Sequence, residues 1–547
     1  MQQSKESIGF RVAQGAVFSV LRKLLLAPIA LFLVPFTLHE VGVVNYGMWA
    51  ILTTIINFAW LMDPGLGPAV TKHVAEFSST NDVQQIRRVV NASLAICLTM
   101  AVIAAVIAWL GGGLIVSQLF RGPSAPPVHE VMTLWPLVLL CISVFLLGTP
   151  FVALINGRQR MDLTNALIFS AELFSATMTV ILLLAGAKVA GLLLVQLLTS
   201  VFILVGGIII TRRLLPAVVP NPLGCDVGMV RRLLKFSLPL YAGYVMNTLQ
   251  GQLERLYLAR MVGVVSVGWY DVASQGAVKI RRLPDLLLNP VLGGASQLAA
   301  SKEMRKLEEL HFRAHKYLGI IAVPLVVFAI VCAKDLMHLW VGKGLEIVGV
   351  PFALLVLGNL FAQISAPTYF VTVGRGILRP ALYSAFLACS LNLVLSYVFI
   401  KMWGFSGAAL GTAIPMTLST IYFLARSRRY FEMPVHRLLL RSYLKPILYS
   451  ISAAVCAALI GFAHWSSAVS LIGKLTVFGF TYLILLIYAR GLDEVDRDYI
   501  VRHMPVISRF RKPPAHAAGS IQQEDLHQYE TENDVLQLAS GFEKGEH

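Results

Sequence analysis

The sequence predicts an all-α, polytopic membrane protein of about fourteen transmembrane helices, twelve of them in two parallel six-helix repeats. Three observations predict it. Of 547 residues, 57% are hydrophobic and only 14% charged, with a mean hydropathy of +0.72. A water-soluble fold of this length has no interior large enough for so much apolar surface. Long uncharged runs also recur almost to the C-terminal end. Finally, a motif is written twice: Val41-Gly42-Val43-Val44-x-x-Gly47 returns 221 positions later as Val262-Gly263-Val264-Val265-x-x-Gly268. At nearly the same spacing, Gly157-x-x-Arg160 answers Gly376-x-x-Arg379, and Arg212-Arg213 answers Arg428-Arg429. Duplication in a chain of membrane helices points to a transporter with its site between the halves.

A span needs roughly 20 apolar residues. By that criterion the first repeat holds helices near 13–36, 44–62, 88–110, 131–155, 164–186 and 189–211. The second holds 234–260, 264–291, 317–341, 347–373, 380–402 and 406–427, the polar 264–291 being the weakest. Two more, near 443–464 and 470–490, have no counterpart in the first half. The first apolar segment begins near Ala13 without a cleavage site, so it reads as a retained span.

Lysines and arginines orient the chain. With the N-terminus inside, inner ends carry Arg87, Arg88, Arg158, Arg160, Arg212, Arg213, Arg231, Arg232, Arg428 and Arg429. Outer loops hold only isolated cases such as Arg121, Lys188, Arg260, Lys343 and Lys401. Both termini are therefore expected in the cytoplasm. The resulting division is a cytoplasmic N-terminus (1–12), an N-terminal repeat (13–213), a cytoplasmic connecting loop (214–233), a C-terminal repeat (234–429), two extra spans (430–490) and a cytoplasmic tail (491–547) expected to be disordered.

Several function classes are disfavoured. The net charge of +16 is spread singly or in pairs between apolar runs, which fits membrane orientation and not a nucleic-acid face. Six scattered cysteines show no metal or redox spacing. No Walker loop, His/Glu metal pattern or Ser/His/Asp set is present, so no catalytic residue, metal or cofactor is expected. The longest outer loop, about 111–130, has no room for a catalytic domain.

Charges within the spans are the candidate site. Arg22 and Lys23 interrupt the first span; starting it after Lys23 leaves too few residues before His39-Glu40 to cross. A charge at depth costs at least ~2.5 kcal/mol unless it meets a wet cavity or a partner. Either one of the pair snorkels to the interface or at least one lines a cationic cavity. Asn247, Gln250, Glu254 and Tyr257 share one face of the seventh helix, and Asp271, Gln275, Lys279 and Arg282 share one face of the eighth. Two such stripes beside the repeat junction read as the lining of an aqueous cleft. The alternative is an ion-pair network, for instance Glu254 with Lys279 or Arg255, that locks the halves. Glu172, Glu254 and Asp271 are candidates for carrying a coupling proton or sodium ion, or for gating.

The stretch from Leu31 to Glu76, through VPFTLHEVGVVNYGMWAIL, resembles the opening of bacterial O-antigen and exopolysaccharide flippases of the multidrug/oligosaccharidyl-lipid/polysaccharide exporter superfamily. Ile155-Asn156-Gly157-Arg158-Gln159-Arg160 and Gly404-Phe405-Ser406-Gly407-Ala408-Ala409-Leu410-Gly411-Thr412 extend the likeness, which covers about residues 10 to 490. The resemblance implies two six-helix lobes around a central cavity. It also implies transfer of an undecaprenyl-diphosphate-linked oligosaccharide across the bacterial inner membrane by alternating access, with polysaccharide polymerase machinery as a possible partner. On that reading Arg22, Lys23, Arg255, Lys279 and Arg282 are the cations for the diphosphate, and Asn247, Gln250 and Gln275 meet sugar hydroxyls. A peptidoglycan-precursor flippase, a multidrug antiporter, a polytopic glycosyltransferase or ligase, and a non-transporting scaffold are the alternatives. The absence of an acid from 13–36 argues against the antiporter.

Overall fold

A computed structural model describes the backbone of residues 2–121, 125–218, 220–342, 344–459 and 467–489. Side chains are described over the same ranges except residues 2–24 and a few single positions, Asn247 among them. The tail expected to be disordered, 491–547, lies outside the described residues. Every regular element among them is helical. The first repeat comprises α1 (Gln2–Ala59), α2 (Leu66–Ser79), α3 (Val83–Leu119), α4 (Val128–Gly157), α5 (Met161–Leu184) and α6 (Lys188–Leu214). The second comprises α7 (Val227–Met261), α8 (Val264–Ala300), α9 (Met304–Val331), α10 (Ala333–Val341), α11 (Gly349–Gly374) and α12 (Arg379–Ser427), followed by α13 (Val435–Leu459) and α14 (Ser467–Tyr488). Residues up to Tyr482 form one compact unit.

Ten described segments are long and apolar enough to cross a membrane, which makes this a multi-pass membrane protein. Two of the ten, Leu25–Phe58 and Arg379–Tyr430, are double, because α1 breaks at Gly42 (φ 75°) and α12 at Gly404 (φ 55°). At Gly404 the chain turns back on itself. Ser384 Oγ donates to the Ser419 carbonyl at 2.9 Å, and Asn392 Nδ2 to the Gly411 carbonyl at 3.0 Å. The legs pack so closely that a Cβ at Gly407 would lie 1.9 Å from the Phe399 carbonyl oxygen. α7 and α8, with 35 and 37 residues, have the length of a span but not the apolarity, because they carry the charged stripes.

The duplication is visible in the backbone. Left-handed residues recur in pairs: Gly42 with Gly263, Asn81 with Lys302, Gln159 with Gly376 and Gly186 with Gly404. Around Asn81 the amides of Asn81, Asp82 and Val83 donate to Ser78, Phe77 and Asn81. The same three bonds recur 221 positions later, from Lys302, Glu303 and Met304. Beyond α3 the register changes. Arg158, Gln159 and Arg160 donate to Leu154, Asn156 and Ile155, and the matching bonds from Arg375, Gly376 and Ile377 lie 217 positions on. Gly157-x-x-Arg160 therefore does not align with Gly376-x-x-Arg379, as the sequence motif suggested. The left-handed helix stop is Gln159 in one repeat and Gly376 in the other, and matching glycine to glycine slips the alignment by two.

One difference between the repeats lies in α8. α8 runs unbroken through Leu283-Pro284-Asp285. Its counterpart is interrupted between α1 and α2: Asp63 Oδ1 caps the Leu66 amide at 2.9 Å and Gly65 adopts φ 73°. Position 286, the equivalent of Gly65, is leucine. Gly407→Ala is expected to lower stability in detergent by about 1–3 kcal/mol through overpacking of the α12 hairpin. Gly479→Ala, where a Cβ meets nothing within 4 Å, should leave the denaturation midpoint unchanged.

Candidate functional site

The two copies of the repeated motif meet each other. A Cβ at Gly47 would lie 2.2 Å from the Val264 carbonyl oxygen, and one at Gly268 would lie 3.0 Å from the Val43 carbonyl oxygen. Val43 and Val264 are one repeat position and Gly47 and Gly268 another, so the contact is reciprocal. Only glycine permits this backbone approach. It seats the second leg of α1 against α8 and brings Tyr46 of the first repeat to Asp271 of the second.

The Tyr46 side chain is fully buried and its hydroxyl donates to Asp271 Oδ2 at 2.9 Å. Asp271 Oδ1 accepts from Arg255 Nε at 3.0 Å and Nη2 at 2.6 Å. Arg255 Nη1 donates to the Gly251 carbonyl and to Gln252 Oε1, both at 3.0 Å. All three side chains are shielded from solvent, in the arrangement a buried charge requires: an opposite charge and filled hydrogen-bond positions.

Glu254, adjacent on α7 and 1% exposed, faces the α12 hairpin. Its Oε1 accepts from Asn392 Nδ2 on the first leg and from Thr412 Oγ1, at 2.8 Å, on the second. The Tyr270 hydroxyl lies 2.9 Å from Thr412 Oγ1. Asn392 Oδ1 and Ser396 Oγ, beside this carboxylate, are buried without a partner among the described residues. Glu254 thus pairs with neither Lys279 nor Arg255; the ion pair of this region is Arg255–Asp271.

Lys279 and Arg282 differ from Arg255. Val264 lies 15 residues from Lys279, a rise of about 22 Å, which puts the lysine near the middle of α8. Lys279 Nζ sits 5.1 Å from the centre of the Trp340 ring, whose Nε1 donates to the Leu31 carbonyl of α1 at 2.8 Å. Neither Lys279 nor the exposed Arg282 makes an ion pair among the described residues. Arg281, which the stripe pattern passed over, reaches Asp285 at 3.4 Å and Asn359 at 3.3 Å. Gln250 and Gln275 are half-buried, and Glu172 is exposed on α5.

The side chains of Arg22, Lys23 and Asn247 lie outside the described residues. α1 runs unbroken past Arg22 and through His39-Glu40, so the length argument for placing Arg22 and Lys23 deep in the bilayer falls away. Twenty residues separate Arg22 from Gly42, about 30 Å of helix and one hydrocarbon thickness.

Four participants escaped sequence reasoning: Tyr46, Tyr270, Asn392 and Thr412. Tyr46 carried a signal, since the other copy of the motif has Val267 at that position. Asn392 carried another, as an isolated amide inside an apolar run.

The lobes also touch at the arginine-rich end. The Tyr241 hydroxyl donates to the Leu61 carbonyl, Lys72 sits 4.4 Å above the Phe236 ring, and the Asn221 amide donates to Asn91 Oδ1 at 2.8 Å. The polar middles of α7 and α8 lie between these two contacts.

Solved structures share this architecture. It superposes on the lipid II flippase MurJ in an inward-closed conformation with a TM-score of 0.65, at 14% identity over 88% of this chain and 98% of the other. Against an inward-facing multidrug resistance transporter of the MATE family the TM-score is 0.58, at 14% identity over 77% and 98%. These likenesses define the class by fold alone, as an all-helical, two-lobed membrane protein. Residues 12–296 match the family described as polysaccharide biosynthesis protein, and the chain belongs to that family. Similar proteins include the probable flippase AglR of Haloferax volcanii, 20% identical over 71% of this chain and 77% of that one. A putative O-antigen transporter of Shigella flexneri is 18% identical over 71% and 90%. The protein is thus a multi-pass membrane member of the polysaccharide biosynthesis family, similar to one protein named a probable flippase and another named a putative O-antigen transporter.

Two substitutions separate the contributions to the buried network. Tyr46→Phe removes one donor to Asp271 and should cost about 1–3 kcal/mol in detergent unfolding. Arg255→Ala strands a buried carboxylate and should cost more, about 3–5 kcal/mol.

Proposed function

We propose that this protein moves an undecaprenyl-diphosphate-linked oligosaccharide from the inner to the outer leaflet of the bacterial cytoplasmic membrane by alternating access. About fourteen spans and two cytoplasmic termini complete the reading, with membrane lipid around it and polysaccharide polymerase machinery as a downstream partner. The chain acts as a carrier and not as an enzyme. The observation that carries the proposal is the stripe Gln275, Lys279, Arg282 on α8: cations free of carboxylates, midway between the two lobe contacts. Moving a diphosphate and many sugar hydroxyls through hydrocarbon strips them of water at a prohibitive cost. A cationic, hydrated path between lobes lowers that barrier while the prenyl tail stays in lipid. Arg22 and Lys23 extend the cationic wall, and Asn247 and Gln250 hydrogen-bond the sugars.

Arg255 serves this path indirectly. Its charge is taken up by Asp271, so it holds α7 to α8 and, through Tyr46, one lobe to the other. Glu254 is the favoured carrier of a coupling proton or sodium ion. It is a buried carboxylate held by neutral partners, next to the unpartnered oxygens of Asn392 and Ser396. Asp271 is the gating acid, and Glu172, exposed on α5, is the weakest of the three.

Deleting the gene and following lipid-linked glycans by mass spectrometry with a membrane-impermeant leaflet probe tests the assignment. Accumulation of one glycan-diphosphate lipid on the inner leaflet is expected, together with loss of a surface polysaccharide. An unchanged pool and surface glycan would refute it, and accumulation of the peptidoglycan precursor instead would assign that substrate. In the same assay Lys279→Gln should slow transfer about 10- to 100-fold, the worth of a charge-assisted hydrogen bond to phosphate, with no loss of folded protein.

A further inference from the structure

The hairpin of α12 brings its two ends together at the arginine-rich end of the bundle. Arg379, Pro380 and Tyr383 from its start, with Arg426 and Arg429 from its finish, line a recess of about 210 Å³. At ~30 Å³ per water, that is room for about seven waters or one hydrated phosphodiester. Three guanidinium groups share this space and no carboxylate lines it. Among the described residues Arg379 and Arg426 make no ion pair. Arg429 spends one donor on the Tyr430 hydroxyl, at 2.6 Å, and lies over that ring. All three side chains are exposed, and Arg429 also lines an adjoining recess with Glu308 and Glu432; the positive charge gathered at the first recess attracts an anion there.

The other repeat provides an internal comparison. In the backbone register of 217 positions, the counterpart of Arg379 is Asp162. There Asp162 takes both ends of the Arg160 guanidinium, Nε at 3.0 Å and Nη2 at 2.9 Å. In the same register Arg212 corresponds to Arg429 and Arg213 to Tyr430. Orientation in the membrane requires positive charge at this end of both lobes; in the second lobe three arginines line a recess without an acid, whereas Arg160 of the first lobe is held by Asp162.

The surface beyond the recess indicates what carries the anion. Tyr383 is 59% exposed and Phe386, one turn along the same face, 60%. Ile421 and Tyr422 on the returning leg are also exposed. An apolar strip therefore leads away from the arginines along the hairpin. We infer that this recess binds the phosphate of an anionic phospholipid headgroup, with an acyl chain lying along Tyr383 and Phe386. The site is separate from the stripe on α8 and does not depend on what that stripe transports.

Native mass spectrometry of the full-length protein, purified in detergent with equal amounts of dioleoyl phosphatidylglycerol and phosphatidylcholine, tests this. Wild type should retain phosphatidylglycerol in preference. At the ~1 kcal/mol expected per basic residue at a lipid surface, Arg379→Gln should lower the bound population about fivefold, and Arg379→Gln with Arg426→Gln about 25-fold. Arg379→Lys, which keeps the charge, should hold most of it. Arg212→Gln with Arg213→Gln should change it by less than about twofold, because in that lobe Arg160 is held by Asp162. Equal retention of both lipids would overturn the proposal, as would equal losses in the two double variants. Displacement of the lipid by millimolar inorganic phosphate would assign the recess to a soluble anion instead.

Discussion

The contact between Gly47 and the Val264 carbonyl, with its mirror between Gly268 and Val43, sets the geometry of everything near the repeat junction. It is a backbone-to-backbone approach, so its distance is set by covalent geometry and not by side-chain fit. A side chain at Gly47 would force α1 and α8 apart, and one at Gly268 would push the same contact by a few tenths of an ångström. Tyr46 would then miss Asp271, and the tyrosine-aspartate-arginine chain would lose this link to the first lobe. The contact is made twice by equivalent residues, so both repeats bear on it equally.

Around that point, charges in the apolar part of the molecule divide into two kinds. Arg255 and Asp271 satisfy one another, and Glu254 is satisfied by an amide and a hydroxyl from the two legs of one hairpin. Such groups hold helices in place. Lys279 has only an aromatic ring, which attracts a cation without neutralising it. On the proposed function both kinds are needed: paired charges to set the shape, unpaired ones to meet the cargo.

Much of this was legible in the sequence because its causes are local. Apolar runs of spanning length and the repeated Val-Gly-Val-Val motif both survive in the structure. The pairing within the stripes was not legible. Asp271 and Lys279 share a face of α8, yet eight residues part them, about 12 Å of helix. That distance gives Asp271 α7 and Tyr46 as neighbours, and Lys279 the ring of Trp340 from α10. Helical spacing tells which residues share a face and nothing about what stands opposite. Arg255 illustrates the point. As a cation on a polar helix it reads as cargo-binding, and only the fold reveals the carboxylate that occupies it. The slip in register at Gly376 has a related cause, since a left-handed helix stop constrains φ and not residue identity.

One further difference between the lobes is mechanical. The helix that follows the first glycine motif is interrupted at Asp63-Pro64-Gly65, where three residues leave the helical hydrogen-bond ladder, while α8 carries its own proline without interruption. The first lobe therefore has a joint where the second has a strut. Below the shared glycine contact, the two arms of this near-symmetric machine differ in stiffness. In the alternating access proposed, a swing about that contact bends the jointed arm and carries the rigid one whole, so the stroke of a duplicated protein need not be duplicated.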